Sequence, residues 1–103
     1  MHSLISKKQV DIAALCRRYR IRHLEVFGSA ARGEDFDPAR SDADFLVEFG
    51  PGTEVSALEE FFGFRAELSR LLDCPVDLVE AGAIRNPYVL ATINRTKQVV
   101  YAT

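Results

Sequence analysis

The sequence predicts an α/β domain, in which a small mixed sheet of three or four strands is backed by helices. Apolar residues recur at helical spacing over residues 5–20 and 55–72. Short runs rich in apolar residues and typical of strands lie at 24–27, 45–49, 74–80 and 98–101. Because helices and strands alternate along 103 residues, we expect one domain, 1–103, with a modest core.

The predicted helices have recognisable starts. Ser6 is a candidate cap for the first helix, and Ser56 with Glu59 has capping-box spacing at the start of the second. Asn86-Pro87-Tyr88 opens a short helix to about Asn94, since proline is tolerated in a first turn. The residues predicted to face the core are Val10, Ala13, Ala14, Cys16 and Tyr19 in the first helix, and Leu58, Phe61, Phe62, Leu68, Leu71 and Leu72 in the second.

The composition indicates an ordinary globular protein, with 48% hydrophobic and 27% charged residues. A net charge of -2 argues against general nucleic-acid binding. Cys16 and Cys74 have no metal-ligand spacing, so we expect buried free thiols in a reducing cytosol. Because no apolar run is long enough for a membrane span or a signal peptide, we expect a cytoplasmic protein. The basic run 17–22 is either a solvated helix end or a docking surface for an acidic partner.

Gly28-Ser29 stands where the first strand ends. Glycine turns the chain tightly and lets a phosphate approach the main chain, because no Cβ is in the way. Ser29 adds a hydroxyl, and a helical turn over 29–32 would direct amide groups and a positive dipole end towards an anion. The pair is therefore a candidate triphosphate cradle.

Asp42 and Asp44 stand at the start of the second strand. Residues two apart on an extended segment share one face, so the two carboxylates repel each other unless a cation lies between them. Mg²⁺ prefers such oxygen ligands and commonly takes one or two carboxylates together with substrate phosphates. Asp77, in the third strand, is explained equally well by exposure to solvent or by a functional role.

The order Gly28-Ser29, Arg32-Gly33 and Ser41-Asp42-Ala43-Asp44-Phe45-Leu46-Val47 resembles the signature of the polymerase-beta-like nucleotidyltransferases. With its short length, the chain is similar to the minimal nucleotidyltransferases that act as antitoxins of HEPN-domain toxins. The resemblance covers nearly the whole chain and implies the polymerase-beta-like fold. It also implies Mg²⁺ as cofactor, ATP as donor and a hetero-oligomer with a HEPN ribonuclease toxin, whose tyrosine receives AMP.

The resemblance also implies a third carboxylate at the metal site. Asp77 holds the matching position and would act as general base or metal ligand, with Glu80 as the fallback. Gly28 and Ser29 would bind the β and γ phosphates, and Arg32 would neutralise charge on the departing pyrophosphate.

Two other functions compete with this prediction. One is an antitoxin that acts by binding alone and keeps the nucleotidyltransferase site as a scaffold. Its weakness is that a cluster of carboxylates without a metal would destabilise the fold. The other is a small-molecule nucleotidyltransferase of the aminoglycoside-modifying kind, which usually needs an additional domain.

Overall fold

The structure is a computed structural model that describes residues 1–51 and 57–103. It contains a four-stranded sheet with helices, as the sequence predicts. The helices are α1 Ser3–Ser6, α2 Gln9–Arg18, α3 Ser29–Arg32, α4 Ala57–Leu72 and α5 Pro87–Thr96. The strands are β1 Ile21–Phe27, β2 Ala43–Phe49, β3 Val76–Glu80 and β4 Gln98–Ala102, and a 3₁₀ turn follows β3 at Ala81–Ala83.

The strand order across the sheet is β3-β2-β1-β4. The central strand β1 is antiparallel to both of its neighbours, whereas β2 and β3 are parallel. A parallel pair needs a crossover connection, and α4 lies in that crossover between β2 and β3. The sheet is therefore mixed, and the last residues of β1 lie beside the first residues of β2, which in turn lie beside the first residues of β3.

The core lies between one face of the sheet and the helices α2 and α4. The strand β3 alternates buried Val76 and Leu78 with exposed Asp77, as expected for a strand with one covered face. In α4, Phe64, Leu68 and Leu72 recur every four residues and form the buried side of the helix. Buried residues from β1 and β2 complete the core, including Leu24, Val26, Phe45 and Val47.

The first predicted helix is wrong in its continuity and its cap. The chain forms two helices separated at residues 7–8, and the imidazole Nδ1 of His2 caps the first by accepting from the amide of Leu4 at 3.0 Å. Ser6 ends that helix, and its hydroxyl donates to the carbonyl of His2, a backbone contact that competes with helix continuation. Val10, predicted to face the core, is 82% exposed because Ile12, Leu15 and Cys16 form the buried side of α2.

The long helix is confirmed from Ala57 onward, whereas Val55 and the proposed cap Ser56 lie outside the described residues. Its predicted apolar stripe is too wide. Leu58 is 65% exposed and Phe62 is 49% exposed, because both lie roughly a quarter to a third of a turn around the helix from the buried side. The short helix is confirmed, with the Asn86 side chain accepting from the amide of Tyr88 at 2.9 Å.

The prediction of two buried free thiols is confirmed for Cys16 and Cys74. Burial raises the pKa of the Cys16 thiol to about 12, so this sulfur stays protonated and packs as an apolar group. Across the described chain, no helix combines the length and the apolar character that a membrane crossing requires.

Candidate nucleotide and metal site

The sheet topology brings the two halves of the sequence motif together. Phe27, the last residue of β1, is in register with Asp44 on β2, and Asp44 is in register with Asp77 on β3. Gly28 follows directly after Phe27. Residues far apart in the chain thus lie side by side at one end of three adjacent strands, in the order Gly28, Asp44 and Asp77.

Gly28 lies against the carboxylate of Asp44. Its φ of +70° is in the left-handed region, and a Cβ at this position would stand 2.8 Å from Asp44 Oδ2. Only glycine satisfies both conditions without displacing the carboxylate. The Gly28 amide donates to the hydroxyl of Thr96 at 2.9 Å, so the end of α5 holds this turn in place.

The turn after Gly28 is helical, which is the condition under which its amide groups would favour an anion. Residues 29–32 form α3, which Gly33 ends with a φ of +84°. Arg32 does not extend towards the carboxylates of the site. Its guanidinium donates two hydrogen bonds to Asp35, at 3.3 and 2.8 Å, and this pairing raises the pKa of Arg32 and lowers that of Asp35.

Asp44 is the carboxylate most affected by its surroundings. Burial, followed by the negative charges of Asp77 and Asp42, raises the pKa of its carboxyl group to about 6. Asp44 is therefore mostly ionised at neutral pH, at a cost that a nearby cation would remove. A strongly perturbed group with named charged neighbours is typical of a functional site.

The three predicted carboxylates differ in position. Asp44 and Asp77 are neighbours across β2 and β3, whereas Asp42 is exposed just before β2 begins. Within residues 1–51 and 57–103, no three His, Cys, Asp or Glu side chains are close enough to hold one ion together. A Mg²⁺ ion that takes one or two carboxylates and fills its remaining positions with phosphate oxygens and water fits the Asp44 environment. Glu80 is paired with Val47, three positions along β3 from Asp77.

A cleft of about 930 Å³ opens beside Asp42 and Asp77. Asp42 and Asp77 line it together with Arg65 on α4, and the Arg65 guanidinium carbon lies 5.8 Å from the centre of the Phe62 ring. Sequence reasoning missed Arg65, and it missed Thr96 behind Gly28. Neither belongs to a motif; Phe62 and Arg65 are one helical turn apart, which is the only signal the sequence offers.

Comparison with known proteins identifies relatives along most of the chain. The model of the nucleotidyltransferase domain family matches residues 12–100. A Methanocaldococcus jannaschii protein, proposed to be a protein adenylyltransferase, is 42% identical over 79 residues, which are 77% of this chain and 76% of the relative. The protein adenylyltransferase MntA of Thermococcus cleftensis is 33% identical over 87 residues, covering 84% of this chain and 80% of that protein.

Solved structures share the fold. A protein assigned as a minimal nucleotidyltransferase superposes with a TM-score of 0.73 at 28% identity, covering 95% of both chains. A complex of a tri-AMPylated HEPN toxin from Shewanella oneidensis with its MNT antitoxin contains a chain that matches with a TM-score of 0.65. That match has 17% identity and covers 96% of this chain and 73% of the other, so it is evidence for the fold alone. The predicted polymerase-beta-like fold is confirmed.

Proposed function

The chain belongs to the nucleotidyltransferase domain family, and we propose that it is a protein adenylyltransferase antitoxin. It transfers AMP from ATP to a tyrosine of a HEPN ribonuclease toxin, and this modification silences the toxin. Relatives more than 30% identical over most of the chain are named as protein adenylyltransferases, which supports a protein acceptor. The partner is supported by the 33% identity to the protein adenylyltransferase MntA, and a chain of the same fold occurs in a complex of an MNT antitoxin with a HEPN toxin.

The observation that carries this proposal is the contact between Gly28 and Asp44. A triphosphate needs a main chain that it can approach closely, next to carboxylates that hold a cation. Gly28 has no Cβ to block that approach, and it lies beside a carboxylate, since an ideal Cβ there would stand 2.8 Å from Asp44 Oδ2. Asp77 lies next to Asp44 on the far side, so both requirements are met within one row of residues.

Two of the three carboxylates Asp42, Asp44 and Asp77 would hold Mg²⁺, with phosphate oxygens and water filling its remaining positions. The raised pKa of Asp44, caused by burial and then by Asp77 and Asp42, is the feature of this site that fits a cation. When bound, Mg²⁺ neutralises phosphate charge and lowers the pKa of a coordinated hydroxyl group.

The chain's own residues position the reaction. Gly28 and Ser29 bind the β and γ phosphates, which directs the α-phosphorus towards Asp44 and Asp77. The acceptor oxygen forms a bond to the α-phosphorus as the bond to the bridging oxygen of pyrophosphate breaks. The hydroxyl proton passes to the Asp77 carboxylate and then to solvent. The products are an AMP-acceptor ester, pyrophosphate and a proton.

Arg32 remains a candidate for neutralising the departing pyrophosphate. It pairs with Asp35 through two hydrogen bonds, and both side chains are about half exposed. Because water screens exposed ion pairs, this one is weak, and a phosphate competes readily for the guanidinium.

The test is transfer of α-labelled AMP from ATP to a HEPN-domain ribonuclease that binds this chain, in Mg²⁺. Label on the partner is expected with the wild type and is lost in an Asp42→Asn, Asp44→Asn double variant. A variant with two exposed aspartates changed, Asp11→Asn with Asp37→Asn, is the matched control and keeps transfer. If the wild type adds no label yet forms a complex that inhibits the ribonuclease, the protein is a binding antitoxin and the proposal is wrong.

A further inference from the structure

We propose that Phe62 and Arg65 on α4 form the acceptor-binding surface, and that the acceptor is a polypeptide segment lying along α4 and β3. The segment carries its reacting hydroxyl at Asp77 and an apolar side chain a short distance away. This inference rests on the proposed nucleotidyl transfer, and it names the residues of this chain that select the acceptor.

The order of the strands assigns the two substrates to opposite sides of Asp44. Gly28 follows β1, whereas Asp77 lies on β3, and β2 with Asp44 lies between them. Phosphoryl transfer needs the attacking and leaving oxygens roughly in line on opposite sides of the phosphorus. With the pyrophosphate held at Gly28, the attacking hydroxyl arrives from the β3 side. The cleft on that side is the one lined by Asp77 and Arg65.

Arg65 is the cation that faces this cleft. Two nearby arginines, Arg18 on α2 and Arg70 on α4, are paired, because both bind Glu67, at 3.0 and 3.2 Å. Arg65 makes no ion pair with any carboxylate in the described parts of the chain. Its guanidinium lies over the Phe62 ring. Its donors are therefore available for carbonyl groups of an incoming chain, and the ring beneath it fixes their direction.

A second groove continues from Phe62 and favours a polypeptide over a small molecule. This groove, of about 430 Å³, lies between the start of α4 and the end of β3 and is lined mainly by apolar side chains, among them Leu58, Phe61, Phe62 and Leu78. Phe62 lines both the cleft and the groove. The combined surface thus presents carboxylates, then a cation, then an apolar groove. A chain with a hydroxyl side chain and a neighbouring apolar side chain matches that order, whereas a small acceptor has no use for the groove.

In the transfer step, the acceptor hydroxyl oxygen bonds to the α-phosphorus and the bond to pyrophosphate breaks. The proton leaves through Asp77. Arg65 and Phe62 take no part in these bond changes, since they only hold the segment that carries the hydroxyl. Their substitution is therefore expected to raise KM for the acceptor and to spare both kcat at saturating acceptor and KM for ATP.

The experiment measures steady-state AMP transfer to the HEPN-domain protein with Arg65→Ala and Arg70→Ala, two arginines of the same helix. Arg65→Ala is expected to raise acceptor KM about tenfold, and Arg70→Ala less than twofold. Leu58→Ser in the groove is expected to raise it about threefold, and Val10→Ser, an equally apolar exposed residue on α2, not at all. Unchanged kcat at saturating acceptor, together with unchanged KM for ATP, shows that each variant is folded.

Each outcome decides between the inference and its premise. Equal acceptor KM values for Arg65→Ala and Arg70→Ala, with wild-type transfer intact, overturn the acceptor surface and leave the proposed function standing. A rise in KM for ATP equal to the rise for the acceptor assigns Arg65 to the nucleotide site, which also overturns it. Absence of transfer by the wild type removes the proposed function, and the acceptor surface with it.

Discussion

At the scale of single residues, the site depends on where a side chain is missing. Gly28 has a φ of +70° and faces Asp44 Oδ2 with only enough room for hydrogen. Its amide is satisfied by Thr96, so the turn is fixed from behind and accessible in front. A side chain at position 28 would therefore strain the left-handed backbone and clash with the Asp44 carboxylate. Replacing glycine by alanine tests both effects.

Gly28→Ala is expected to reduce ATP affinity at least tenfold. The added Cβ would have to displace the Asp44 carboxylate, and the left-handed backbone would cost about 1–2 kcal/mol of stability. Calorimetric titration with ATP and Mg²⁺, with thermal unfolding in parallel, measures both effects. Gly82→Ala is the control, because a Cβ there meets nothing within 4 Å. Equal ATP affinity in the two variants would remove Gly28 from the nucleotide site.

At the scale of elements, the sequence was most informative where local chemistry decides the structure. Asn86 and Pro87 mark the start of α5, and the apolar runs mark the strands, because caps and alternation act within a few residues. The first helix was predicted as continuous because its break involves His2 and Ser6, and a histidine cap is not a usual start signal. Exposure of Leu58 and Phe62 was not predictable, since the sheet covers only one side of α4 and helical spacing does not indicate the width of that contact.

The hydrogen bond from the Gly28 amide to Thr96 connects the end of α5 to the turn after β1. We therefore expect a change in α5 to affect nucleotide binding at Gly28. Thr96→Val removes the acceptor of the Gly28 amide, and an unsatisfied, partly buried amide is expected to cost about 1–2 kcal/mol of stability. ATP affinity is expected to fall about threefold to tenfold, since the turn is no longer held. Thr92→Val, the same change on an exposed position of α5, is the control. Urea unfolding and ATP titration check the pair, and indistinguishable variants would show that Thr96 does not support the site.

At the scale of the whole molecule, sheet topology converts a linear motif into a charge cluster. The residues of the motif were predictable because their types and order indicate a phosphate and a metal. Their geometry was not, because it depends on the strand order that puts β2 between β1 and β3. Arg65 was missed for the same reason, since only folding brings α4 beside the start of β3. Folding also brings the negative charges of Asp77 and Asp42 close to Asp44, and this repulsion lowers the stability of the folded state.

Without a bound cation, the fold is expected to be destabilised by the charge on Asp44. Burial, followed by Asp77 and Asp42, raises the folded-state pKa of this carboxyl from 3.8 to about 6. Because the unfolded chain ionises more readily, protonated Asp44 favours the folded state at low pH, and this contribution is lost as pH rises through 6. Asp44→Asn removes the ionisation, so its stability relative to the wild type is expected to increase between pH 4 and pH 7.5.

The expected increase is about 1–2 kcal/mol, which is smaller than the full pKa shift implies because Asp44 is only partly buried. Urea unfolding in EDTA at both pH values measures it, with Asp11→Asn as the variant of an exposed aspartate outside the cluster. Mg²⁺ with ATP is then expected to stabilise the wild type at pH 7.5 and to have little effect on Asp44→Asn. A difference between wild type and Asp44→Asn that stays constant with pH would mean that Asp44 carries no unfavourable charge. The requirement for a cation would then have to come from Asp42 and Asp77 alone.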